Sequence, residues 1–174
     1  NMNNLFLNRN AFNEDLGDWD VSNVTSMSQM FRNAKAFNQD LNDWDVSNVT
    51  NMGAMFASSD NPGFNGNISN WDVGNVTNMS EMFRYATKFN KDISGWDVSS
   101  VTNMNLMFDQ AHRFNKNISA WDVSDVTNMS NMFMNAYDFN QDISAWDVSS
   151  VNNFGEMFKH HGGSAGPLRE GKGT

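Results

Sequence analysis

The stretch VTNMNLMFDQAHRF, Val101 to Phe114, decides how the chain folds. Its apolar residues Val101, Met104, Met107, Phe108, Ala111 and Phe114 recur at three- and four-residue steps. That spacing predicts one face of an α-helix about three turns long. Thr102, or the serine three residues after each Trp, stands where an N-cap hydroxyl accepts an orphan backbone N–H. The same pattern returns along the chain. Tryptophans at 19, 44, 71, 96, 121 and 146 are separated by 25, 27, 25, 25 and 25 residues. An internal period of this size is the signature of stacked repeats.

Counted from each Trp, the unit reads W-D-V-S-x-V-T-N-M-x-x-M-F-x-x-A-x-x-F-N-x-D-I-S-x. The single spacing of 27 comes from a two-residue insertion near residues 57–64, in ASSDNPG, where a loop absorbs it. The first residues enter the unit in its middle, with Met2, Leu5, Phe6 and Phe12 on the Met, Met, Phe and Phe positions. An array that starts there is expected to be part of a longer one. The pattern decays after Phe158, so residues 1–161 are expected to form one repeat array and 162–174 a flexible polar tail or linker. The segment DISGW is short and holds a β-branched residue, which predicts a brief strand. One short parallel strand and one helix per 25-residue coil predict a right-handed α/β repeat solenoid. Strands stack about 4.8 Å apart and helices about 8–10 Å, so the array is expected to curve as a leucine-rich-repeat-like horseshoe with strands inside.

FNQDISAWDVSSV, Phe139 to Val151, and VTNMSNMFMNAYDFNQDIS, Val126 to Ser144, resemble the bacterial surface protein 26-residue repeat, a divergent leucine-rich repeat. The resemblance covers about residues 1 to 160. It implies a curved parallel array in an exported protein, extracellular or displayed at the cell surface, with adhesion or host interaction as its role. The chain departs from that family at the insertion near Pro62 and after Phe158.

The 174 residues suffice for one domain with a sizeable core. A formal charge of −9 argues against nucleic acid and against an anionic membrane surface. With no cysteine, disulfides, thiolate catalysis and cysteine-held zinc are excluded. No apolar run approaches the roughly 20 residues that span a bilayer, so direct membrane insertion by this segment is not expected. His112, His160 and His161 lack a spaced third ligand. GPLREGKG, Gly166 to Gly173, nearly matches a phosphate loop but puts Gly173 where magnesium needs a hydroxyl. The chain is therefore expected to be no enzyme and to hold no cofactor.

Four columns of polar residues are candidates for structure or binding. The asparagines after Phe (Asn13, Asn38, Asn65, Asn90, Asn115, Asn140) are expected to form a ladder of buried amides that satisfies the backbone of adjacent coils. The aspartates after Trp (Asp20, Asp45, Asp72, Asp97, Asp122, Asp147) are expected to cap their own turns, with calcium bridging between coils as the rival reading. Threonines at 25, 50, 77, 102 and 127 are expected to cap helices rather than to bind ice. If the strand's Ile or Leu points inward, Asn42, Ser69, Ser94, Ser119 and Ser144, flanked by Asp40, Asp92 and Asp142, face a concave surface.

Such a surface suits a protein or glycan partner, which makes the expected function a non-catalytic interaction or adhesion scaffold. Two other readings stand beside it. One is a spacer or fibre segment built by end-to-end stacking of coils; the other is a calcium-stabilised adhesin repeat. Ile and Trp in ISAWDVS are three apart, so a regular strand cannot bury both. Either the chain turns between them and tucks Trp into a corner of the core, or Trp forms an exposed ladder.

Overall fold

The computed structural model describes residues 1–59 and 63–160. The insertion's Pro62, His161 and the tail 162–174, with its look-alike phosphate loop, lie outside the described residues. Among those described there is no α-helix. The only β pairing is a column of isolated parallel bridges, Ser26 to Asn51, Asn51 to Asn78, Asn78 to Asn103, Asn103 to Asn128 and Asn128 to Asn153. The expected leucine-rich-repeat-like fold, with a helix and a strand in each coil, is therefore wrong.

Each coil is instead a succession of four-residue turns. In the fourth full unit, amide N–H groups donate three residues back: Val101 to Val98, Met107 to Met104, Ala111 to Phe108, Phe114 to Ala111 and Trp121 to Ile118, at 2.9–3.2 Å. In these turns the apolar residues are the first and last and point inward, while most of the residues between them lie toward the surface, the buried Asp109 excepted. Amides that make no turn bond reach the following coil: Met104 to Asn128 O, Leu106 to Ser130 O, Phe108 to Met132 O and Gln110 to Met134 O, at 2.8–3.0 Å. Every second amide from Met104 to Gln110, in the middle of the stretch read as helical, is therefore committed to the next coil.

Three physical reasons defeat the helix. A helix advances about 100° per residue, so three-residue steps slip by about 60° each, and Val98 to Met107 would carry the apolar stripe about 180° round the axis. Asn and Ser recur between these turns, and their side chains offer the backbone bonds that compete with helical ones, as Asn103 Oδ1 does for the Asn105 N–H. The third reason is a pair of left-handed residues four apart in most units, such as Leu106 (φ 57°) and Gln110 (φ 61°), or Asn131 (φ 58°) and Asn135 (φ 55°). No right-handed helix passes through such residues. The expected strand fails similarly, because Ile93 to Trp96 is a turn closed by a 3.2 Å bond. Without helices, the spacing mismatch that was to curve the array is gone.

The interior is a ladder of large side chains in register. Phe108 and Phe114 stack face to face at 4.0 Å within one coil, and Phe108 meets Phe83 and Phe133 of the flanking coils at 5.6 Å. The paired methionines, such as Met104 and Met107, are fully buried. Burying each such side chain contributes roughly 1.5–3 kcal/mol. Trp44, Trp71, Trp96 and Trp121 are 3% exposed, so the corner, not the exposed ladder, is the Trp arrangement. Each indole N–H reaches the carbonyl of the preceding coil's Ile or Leu, as in Trp71 to Leu41 O at 2.7 Å.

Leu106 separates the two backbones by sign. In a helix interior, Leu106→Gly would cost about 1 kcal/mol. At φ 57° it instead relieves roughly 1–2 kcal/mol of left-handed strain, less about 0.5–1 kcal/mol of chain entropy. The expected outcome in thermal melting is an unchanged or raised midpoint for Leu106→Gly, and a drop of several degrees would contradict the turn backbone.

Candidate functional site

The acidic columns are turn caps. Asp122 Oδ1 accepts the backbone N–H of Ser124 at 3.1 Å and its hydroxyl at 2.7 Å. Asp20, Asp45 and Asp97 repeat both bonds with Ser22, Ser47 and Ser99. Asp72 and Asp147 accept the N–H of Gly74 and Ser149. The serine hydroxyl, then the serine N–H, holds the carboxyls of Asp20, Asp45, Asp97 and Asp122 below their ordinary pKa; at Asp147 the backbone bond leads. Stacking works against this, since Asp97 and Asp147 push Asp122 upward, but the local bonds win.

The residues assigned to a concave strand face occupy a second set of the same turns, because no strand exists there. Asp40 accepts the N–H of Asn42, Asp92 that of Ser94 and Asp142 that of Ser144, at 2.9–3.0 Å. Ser69 and Ser119 donate in the same way to Asn67 and Asn117. Asp and Asn interchange in this column because the turn needs one side-chain oxygen, not a charge. Among the described residues no three acidic or histidine side chains converge as a metal would require.

The asparagine ladder is present but lies at the surface rather than in the core. Oδ1 of Asn13 accepts the N–H of Asn38, and the chain of bonds continues through Asn65, Asn90 and Asn115 to Asn140 at 2.7–3.1 Å. The threonines cap no helix. Thr50, Thr77, Thr102 and Thr127 each donate their hydroxyl to the carbonyl of the previous coil's threonine, as Thr102 does to Thr77 at 3.2 Å. A third set of turn caps escaped the sequence reading: Asn51, Asn78, Asn103, Asn128 and Asn153 accept the N–H two residues on. Their signal was available, since the unit keeps Asn there and follows it two residues later with Gly, Ser or Asn.

One edge of the coil does not repeat. Positions 13, 14, 16 and 17 after Trp hold Arg32, Asn33, Lys35 and Ala36 in one copy, Arg84, Tyr85, Thr87 and Lys88 in another, and Asp109, Gln110, His112 and Arg113 in the next. Both tyrosines of the chain, Tyr85 and Tyr137, lie here, and the insertion falls on the same edge. Charge is sorted with it. The nine Lys and Arg among the described residues, eleven in the chain less Arg169 and Lys172, all sit between positions 13 and 20 of the unit. Thirteen aspartates occupy the opposite arc, from the residue before Ile to the fourth after Trp, with no base among them. Arg84 bonds the buried Asp109 at 3.0 Å and Glu81 at 3.1 Å, and Arg113 bonds Asp138 at 3.3 Å. The sequence reading followed what the copies share and so passed over where they differ.

Two outcomes check the caps. Asp122→Asn keeps the accepting oxygen and is expected to melt within about a degree of wild type at pH 7, whereas Asp122→Ala melts several degrees lower. The folded-state pKa is depressed, so the stabilisation is present above the ordinary value of 3.8 and is lost as pH falls below it. Asp122→Asn therefore loses less stability than wild type between pH 5 and 2 (roughly the interval of carboxylate titration). In Asn115→Leu the Asn140 N–H loses its 2.9 Å acceptor, with an expected cost of about 1 kcal/mol in denaturant unfolding.

No curated protein and no solved structure matches the chain. One family, described as Mycoplasma protein of unknown function, DUF285, matches twice in tandem, over residues 1–61 and 58–168. Those two matches cover nearly the whole sequence, and the chain belongs to that repeat family.

Proposed function

We propose that the chain is a non-catalytic repeat scaffold that recognises a partner through its variable edge. The observation that carries this reading is the contrast between edges. In the cap and ladder columns the polar side chains are spent on turns and coil-to-coil bonds, and the residue type is kept or exchanged only between Asp and Asn or among Gly, Ser and Asn. At positions 13, 14, 16 and 17 the residues differ between adjacent copies and include Tyr and Arg, types that supply binding energy at interfaces. Insertions in repeat arrays also fall on the binding face, and this chain's insertion is on that edge. The extracellular or cell-surface setting implied by the resemblance to bacterial surface repeats belongs to the same proposal, as does adhesion to a protein or glycan.

A second reading has its own observation. Leu5 and Trp19 are 47% and 40% exposed in the first coils, and Phe154 and Phe158 are 44% and 42% exposed in the last. These faces suit further coils, of the same polypeptide or of a second copy, and so favour a spacer or fibre role. Light scattering over a range of concentrations separates the two, because a fibre grows with concentration and a discrete particle does not.

The recognition reading is tested by probing arrays of purified glycans and extracellular proteins. The expected result is a binder whose affinity falls at least tenfold with Arg113→Glu plus Tyr137→Ser and is unchanged by Asp125→Ser on the opposite arc. Binding indifferent to the edge, or no binder on either array, contradicts it.

A further inference from the structure

The variable edge is not uniformly filled. Most coils carry a long side chain at position 13, but one coil carries Ala57, followed by Ser58 and Ser59. The coil before presents Arg32 and Asn33 there, and the coil after presents Glu81, Arg84 and Tyr85. These residues enclose a groove of about 230 Å³. Its floor is held in register by the Ser58 N–H, which donates to Arg84 O at 2.8 Å.

Ser58 also supplies an unmet demand. The residue is only 8% exposed, and among the described residues its Oγ has no hydrogen-bond partner. The cause is local: Asn33 Nδ2 reaches back to Asn8 Oδ1 at 2.8 Å, but the shorter serine cannot continue that amide ladder. A buried hydroxyl left unpaired costs roughly 1–3 kcal/mol, which rotation of the Ser58 side chain toward a ligand hydroxyl in the groove would recover.

Charge narrows the ligand further. Arg84 is matched by Glu81 and by Asp109, whose side chain is fully buried. Arg32 bonds only the neutral Gln29, at 3.4 Å, and has no carboxylate partner among the described residues. The groove therefore holds one uncompensated guanidinium, suited to a single carboxylate in bidentate fashion. Asn33, Ser58 and Glu81 offer hydroxyl-directed donors and acceptors, and the Tyr85 ring gives a flat apolar wall. Of the residues lining the groove only Ala57 and the Tyr85 ring are apolar, and the volume lies below the roughly 300–1,000 Å³ of sites for larger ligands.

We propose that the groove binds one carboxylated sugar residue, a uronic acid unit of an acidic glycan. Arg32 takes the carboxylate, Ser58 and Glu81 take ring hydroxyls, and Tyr85 packs on the ring. The proposal rests on the variable edge being the recognition face, and it adds which coil-to-coil groove and which chemistry.

The test uses isothermal titration of the whole chain with oligogalacturonate, an uncharged gluco-oligosaccharide of equal length and a poly-glutamate peptide. Oligogalacturonate is expected to bind, with at least a tenfold loss in Arg32→Gln and a several-fold loss in Ser58→Ala, both variants keeping the wild-type melting midpoint. The neutral oligosaccharide and the peptide are expected to bind at least tenfold more weakly. Equal binding of the neutral sugar overturns the role of Arg32, and equal binding of the peptide overturns the sugar assignment. No binding, or binding that Arg32→Gln leaves unchanged, overturns the site. If a ligand found on the arrays needs Arg113 and Tyr137 but not Arg32 or Ser58, the groove fails while the edge stands.

Discussion

Main-chain hydrogen bonds between residues about 25 apart govern everything else in this chain. From the eighth to the fourteenth position of each unit, alternate amides donate to the coil that follows, as Phe83 does to Met107 O at 2.9 Å. At the sixth position the direction reverses, with Thr102 donating to Thr77 O at 2.9 Å. Amides on loan to a neighbour cannot close helical bonds, so most of the remaining ones close four-residue turns. To alternate in this way the backbone must pass through left-handed residues at two positions of nearly every unit, although most of them are not glycine. That strain is affordable because the ladder over-determines the path.

The side chains follow from the backbone. Turns that begin and end on apolar residues point Met, Phe, Val and Trp inward from all sides, and stacking in register places like on like. The result is a core of parallel rings, where adjacent phenylalanines stack with interplanar angles of 2–11° along the central column. The corners need acceptors for the N–H groups that neither a turn nor a neighbour satisfies, and three columns of Asp or Asn supply them. An acidic surface arises as a by-product of cap chemistry. At positions 13, 14, 16 and 17 neither core nor cap dictates the residue.

Much of this was legible in the sequence. The period, the place of the insertion, the caps in Asp-Val-Ser and the bonding of Asn after Phe all follow from residue types whose chemistry is local. The helix was misread because three-residue spacing serves two backbones, a helix and a run of turns. What separates them is whether threes alternate with fours, and Val98, Val101, Met104 and Met107 hold to threes. Asn4, Asn8, Asn33, Asn131 and Asn135 were a second signal, since Asn is the side chain most at ease at positive φ. The groove was not legible, because it depends on Ser58 lying beside Arg32 and Arg84, which are 26 residues away on either side. Only the register of the stack brings them together.

The account stands or falls on where the amides of the Met-Phe stretch send their hydrogen bonds. Scalar couplings transmitted across hydrogen bonds, measured on the isotope-labelled chain, read this directly. The predicted result is a coupling from the Phe83 amide nitrogen to the Met107 carbonyl carbon, with its counterpart from Phe108 to Met132. A coupling from Phe83 to the Met79 carbonyl, four residues back, would restore the helix and contradict the fold described.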